Sequence, residues 1–183
     1  MPGSPNVSLL NEKRSVTYTI VFGIWAEVFL YCVLHDQYMV RIAPEHFTVY
    51  HDPLWGIENP SLLAVAWAFR ASMPGLGLGL CALFLGRVGS KPKLAPATML
   101  KMLPWLILVT ELSGLATGAW VWRTEKPLYP EDVYPDGTLP IMITQTIQVT
   151  CYLVSAIVSV VFLVWIFRKR ARLQGAGFDQ VAK

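Results

Sequence analysis

The sequence predicts an all-α membrane protein, a bundle of four transmembrane helices forming a single membrane domain over residues 1–183. Three observations predict it. Four long apolar runs occupy about residues 16–35, 61–86, 102–122 and 141–167. Charged residues make up only 15% of the chain against 54% hydrophobic, and they gather in the gaps between the runs. The gaps also alternate between basic and acidic. Crossing a hydrocarbon core of about 30 Å takes roughly 20 helical residues. Backbone in lipid must satisfy its own hydrogen bonds, so each run is expected to be a helix.

The first run is too long for a cleaved signal, and three more follow it. Before the second, Asn59-Pro60 reads as an N-cap followed by proline at the first helical position. Gly86 and Gly89 are expected to close that helix ahead of the basic "GRVGSKPK" loop. Pro74 lies four residues after Arg70 and removes an amide, which predicts a kink and a spare carbonyl at Arg70. Gly75/Gly79 and Gly114/Gly118 form small-xxx-small faces that favour close helix contact. Between the third and fourth runs, "TEKPLYPEDVYPDGTLP" has four prolines and an Asp-Gly, so an irregular acidic loop is expected. The first loop, about 36–60, is expected to be structured. "YMVRI" and "HFTVYH" are rich in branched and aromatic residues and read as short strands over the bundle mouth.

Charge sets the orientation. Eleven of the fifteen basic residues fall in the N-terminal segment (Lys13, Arg14), the second loop (Arg87, Lys91, Lys93, Lys101) and a short tail at about 168–183 (Arg168, Lys169, Arg170, Arg172, Lys183). The other two loops hold three basic residues and eight acids. The positive-inside rule therefore predicts cytoplasmic N- and C-termini. Trp55, Trp120 and Trp122 suit the outer interface, Trp105 and Trp165 the inner one. No nucleotide-binding loop, zinc-finger spacing or nucleic-acid motif is present, so a nucleic-acid partner is not expected.

Three ionisable residues lie inside the runs: Glu27, Arg70 and Glu111. Counted from the preceding helix ends at 1.5 Å per residue, all three sit on the order of 15–20 Å deep. Unpaired charge there costs at least about 2.5 kcal/mol. The expectation is a buried Glu27–Arg70–Glu111 cluster that changes protonation. Tyr31 and His35 follow Glu27 at i+4 steps toward the outer loop. Gln145, Gln148, Tyr152, Ser155 and Ser159 repeat along one face of the fourth helix as a polar seam.

All three histidines fall between residues 35 and 53, with His35, Asp36, Arg41, Glu45, His46 and His51 as the candidate outer-loop set. Zinc or copper accepts such donors. Yet His46 and His51, five apart, share a face in neither a strand nor a helix. No metal or other cofactor is therefore expected, with zinc or copper at His35, His46 and His51 as the alternative. Cys32, Cys81 and Cys151 lie in different runs without a CxxC pair. No Gly-x-Ser-x-Gly or HExxH motif appears.

"HDQYMVRIAPEHFTVYHDP", "AWAFRAS" and "GRVGSKPKL" resemble a family of uncharacterised bacterial four-span membrane proteins. The resemblance covers about residues 30–95, implies a bacterial inner membrane, and brings no activity or site residue with it. The leading functional expectation is binding or translocation of a small solute or ion at the charge cluster. The alternatives are an intramembrane or outer-face enzyme using the His/acid loop, and a non-catalytic assembly subunit in a homo-oligomer or with a membrane partner.

Overall fold

The computed structural model describes residues 12–89 and 92–181, with side chains described as far as Gln174. Lys91 and Lys183, two of the basic residues counted above, lie outside that range. The described residues form α1 (Arg14–Ile42), α2 (Glu45–Thr48), α3 (Pro60–Ala71), α4 (Pro74–Arg87), α5 (Pro96–Leu100), α6 (Leu103–Thr124) and α7 (Leu139–Val181), and they include no strand. Four helical spans are long and apolar enough to cross a membrane: Arg14–Ile42, Pro60–Arg87, Pro96–Thr124 and Leu139–Gln174. Their outward surface is apolar, with Phe22, Leu62, Leu80, Phe84, Leu112, Leu153 and Ile157 exposed. This chain thus folds as a multi-pass membrane bundle.

The element boundaries follow local chemistry. Asn59 caps α3, its side-chain oxygen accepting from Leu62 N–H at 3.1 Å, with Pro60 at the first position. Pro74 breaks the second span into α3 and α4 across Ser72-Met73. The Arg70 carbonyl is not left spare, because the Met73 amide donates to it at 3.2 Å. Ser72, fully buried, donates to the Phe69 carbonyl and accepts from the Trp25 indole.

Two expectations fail. "YMVRI" is the last part of α1, which runs seven residues past the expected end at 35 and stops at Ile42, and the "HFT" of "HFTVYH" lies in the single-turn α2. Helical hydrogen bonding continues because no glycine or proline falls between Gly23 and Pro44; branched residues lower helix propensity only slightly, and burial of Met39 and Val40 overrides it. The basic segment beyond residue 167 is helical as far as Val181, continuing α7.

Glycine sets the closest helix contacts. Gly79 lies against the α1 backbone, where a Cβ would come within 2.9 Å of Val21 Cα. Gly114 and Gly118 admit Cys151 and Ile147 of α7. A polar zipper joins the same region: Thr150 bonds Thr117 at 2.9 Å and Tyr129 at 2.8 Å, and the Tyr134 hydroxyl pairs with Thr146 while accepting from the Leu128 and Tyr129 amides.

The two ends differ. At the basic end, Glu12 receives Arg87 at 2.9 and 3.0 Å and Lys93 at 2.9 Å, and Arg170 donates to the Leu85 and Pro92 carbonyls. At the acidic end, the Tyr50 hydroxyl donates to Asp136 at 2.7 Å. The apolar core forms two groups. One, around Ile20, Ile24, Met99 and Phe162, fills the basic half; the other, around Met39, Phe47, Leu63 and Ile147, fills the acidic half.

Candidate functional site

Between the two apolar groups lies an inner cavity of about 270 Å³. Its walls draw on both groups and add Tyr31, His35, Asp36, His51, Trp67, Gln148 and Cys151. A second, lateral cavity of about 420 Å³ lies between α1 and α6, lined by Glu27, Tyr31, His35, Tyr38 and Glu111. Its rim carries Leu30 and Leu34, each more than half exposed, so it faces the lipid side of the bundle. Tyr31 and His35 line both cavities and form the wall between them.

Helix periodicity builds that wall. Tyr31, His35 and Tyr38 are four and three residues apart, hence on one face of α1. That face meets α6, and His35 Nδ1 pairs with Glu111 Oε2 at 2.9 Å. The Tyr38 hydroxyl lies 3.1 Å from the same nitrogen. His35 is buried and Glu111 partly so. With a proton on His35 the contact is an ion pair; without it, a hydrogen bond between neutral imidazole and the carboxyl group.

The expected Glu27–Arg70–Glu111 cluster does not form. Among the described residues Arg70 makes no ion pair with either glutamate: its side chain is exposed and its guanidinium lies 4.6 Å above the Trp67 ring. Depth was read from residue counts, and depth does not fix rotation about the helix. Arg70 sits one residue before the end of α3 and points away from the cavity that Trp67 and Ala71 line. Glu27 lines the lateral cavity, with its Oε2 buried and without a hydrogen-bond partner among the described residues.

The three histidines do not converge either. The irregular turn after α2 brings the His46 and His51 rings to 4.9 Å, and His51 packs on Trp67 at 4.6 Å. His35, one helix away, is taken by Glu111. Burial first, then the neighbouring His51, pushes His46 down to about 3, so it stays neutral. His51 is lowered in the same direction, mainly by burial. Asp36 is buried at the inner cavity, whereas Arg41 and Glu45 are exposed and Arg41 only donates back to the Gln37 carbonyl.

The seam on α7 is partly where the spacing puts it. Gln148, Tyr152, Ser155 and Ser159 line the inner cavity; Gln145 does not. Gln148 donates to the Tyr152 hydroxyl at 3.0 Å. Sequence reasoning missed Cys151 and the His35–Glu111 contact. The signals were there: Cys151 is three after Gln148 and four before Ser155, on the seam's own face, and Gly114 marks where α7 comes closest. No family model, curated protein or solved structure matches this chain.

Proposed function

We propose that this chain is a bacterial inner-membrane protein that binds and passes a small solute or ion at the His35–Glu111 pair, with a change of protonation at that pair. One observation carries the reading: a 2.9 Å histidine–carboxylate contact stands inside the spans, on the wall shared by two cavities. A cation or hydrogen-bonding solute arriving in the lateral cavity, which Glu111 lines, competes with His35 for Glu111. Intramembrane ionisable groups that face a cavity mark such paths. The alternation of basic and acidic ends supports cytoplasmic N- and C-termini. The resemblance over residues 30–95 supports a bacterial inner membrane.

The test has two readouts. Infrared difference spectra of the purified protein should show one carboxyl band that titrates with external pH and vanishes in Glu111→Gln. Vesicles carrying the protein and an internal pH dye should show a flux that Glu111→Gln abolishes and Arg70→Gln leaves in place. A carboxyl band indifferent to pH, together with no flux, would sink the reading.

A second reading, assembly with a second copy or a membrane partner, is favoured by Arg70. Its guanidinium is exposed within a candidate span and makes no ion pair among the described residues. A particle mass above one chain in detergent, reduced to one chain by Arg70→Leu, would support it.

A further inference from the structure

Beside the His35–Glu111 pair stands a third donor. One ring nitrogen of His35, one carboxylate oxygen of Glu111 and the Cys151 sulfur all lie within 4.8 Å of one another. The three come from α1, α6 and α7, so tertiary packing alone brings them together. Gly114 makes the room, since a Cβ there would collide with the Cys151 sulfur. The thiol's own bond is weak, a donation to the Thr110 carbonyl at 3.6 Å. Next to the cluster, the Tyr31 hydroxyl is buried on the wall of both cavities, with Glu111 and Cys151 as its polar neighbours.

We propose that His35, Glu111 and Cys151 bind one thiophilic divalent transition-metal ion of the zinc class, with a fourth coordination position open to the cavities. The proposal rests on the reading of this site as one that takes an ion, and it names the ion. Charge favours it. A carboxylate and a thiolate balance a divalent cation, and neutral imidazole adds none, so the loaded site carries no net charge into the low-dielectric interior. Distance allows it. Donors around a tetrahedral zinc, with bonds of about 2.0–2.3 Å, stand roughly 3.3–3.7 Å apart, so the widest spacing in the cluster closes by about 1–1.5 Å at most, while the 2.9 Å His35–Glu111 contact opens slightly. Sulfur selects zinc-like ions over magnesium and calcium, which prefer oxygen. Three protein ligands with an open position fit an exchanging or working ion better than a closed structural one. Loading the site displaces the Cys151 thiol proton, so each ion bound releases at least one proton and affinity rises with pH.

The whole chain, purified in detergent and stripped with chelator, should take up one equivalent of zinc against a competing chromophoric chelator. Cobalt should bind with a thiolate-to-cobalt charge-transfer band. Cys151→Ser, Glu111→Gln and His35→Gln should each weaken zinc at least tenfold, Cys151→Ser should abolish the cobalt band, and the His46→Gln/His51→Gln double variant should bind as wild type. Should a variant fail to fold, the wild type still decides: zinc must protect Cys151 from alkylation, read on its own peptide by mass spectrometry. Absent uptake at micromolar zinc, absent protection, or a cobalt band that survives Cys151→Ser would overturn the assignment. A protein that titrates Glu111 and passes protons yet takes no zinc loses this proposal alone. One that takes zinc with a silent proton titration keeps the metal site and loses the flux.

Discussion

Arg70 and Glu27 behave as separate features, and that separation is measurable. Arg70 over Trp67 is a cation–π contact worth about 0.5–1 kcal/mol where exposed. Thermal unfolding in detergent should therefore show Arg70→Gln costing little, and Arg70→Gln with Glu27→Gln additive within about 0.5 kcal/mol. A coupling well above that would mean the two charges meet in solution. His46 makes a pH prediction. An unfolded histidine binds its proton near pH 6.5, whereas His46 holds off until about 3. Between those values the unfolded state carries the extra proton, so stability falls as pH drops. Between pH 7.5 and 5 the unfolding midpoint of the wild type should fall relative to that of His46→Phe, and the difference between the two is the His46 contribution; His51, shifted the same way, acts equally in both. Glu12, lowered to about 2 chiefly by the Arg87 hydrogen bonds, stays ionised across that window and does not confuse the reading. Sequence alone could find that charges share a depth. It could not say which side of α3 carries Arg70, because a residue count fixes height along the axis, and the facing side depends on which neighbours the helix packs against.

At the scale of elements, two glycines of α4 separate packing from propensity. Gly79 faces the α1 backbone, and Gly77 meets nothing within 4 Å. Gly79→Ala should destabilise by about 1–3 kcal/mol through overpacking. Gly77→Ala should be neutral or up to about 1 kcal/mol stabilising through helix propensity. Equal effects in the same thermal assay would show that the α1–α4 contact is not held this closely. The small-xxx-small spacing made both glycine faces legible, and Asn59-Pro60 announced the α3 cap. The extension of α1 to Ile42 was not legible: branched and aromatic residues suit helix and strand alike once buried, and only the packing of Met39 and Val40 decides. The polar zipper of Thr117, Thr146, Thr150 and Tyr134 was equally hidden, since threonine in an apolar run reads the same whether it faces lipid or a partner hydroxyl.

For the whole molecule, the four spans were legible because hydropathy over some 20 residues is a strong signal, and the pairing of their ends followed from charge. The orientation makes the fourth prediction. Thr48 and Asp132 are exposed near the acidic end, Lys101 and Arg172 near the basic end. Cysteines placed at 48 and 132 should react with an impermeant thiol reagent from outside intact cells, and those at 101 and 172 only after permeabilisation. The reverse pattern would invert the bundle.

The spans are unequal, and that carries a further meaning. The first three hold 29, 28 and 29 residues, whereas α7 holds 43, Leu139–Val181. At 1.5 Å per residue the shorter ones rise about 43 Å, close to a bilayer with its headgroups, and α7 about 65 Å. Roughly 20 Å of α7 therefore overhangs, at the end that carries the exposed Arg168, Lys169 and Arg172. Each such cation near a membrane surface attracts anionic lipid by about 1 kcal/mol. The overhang is expected to make α7 a post around which one leaflet's annulus is enriched in acidic lipid, so that this protein would choose part of its own solvent.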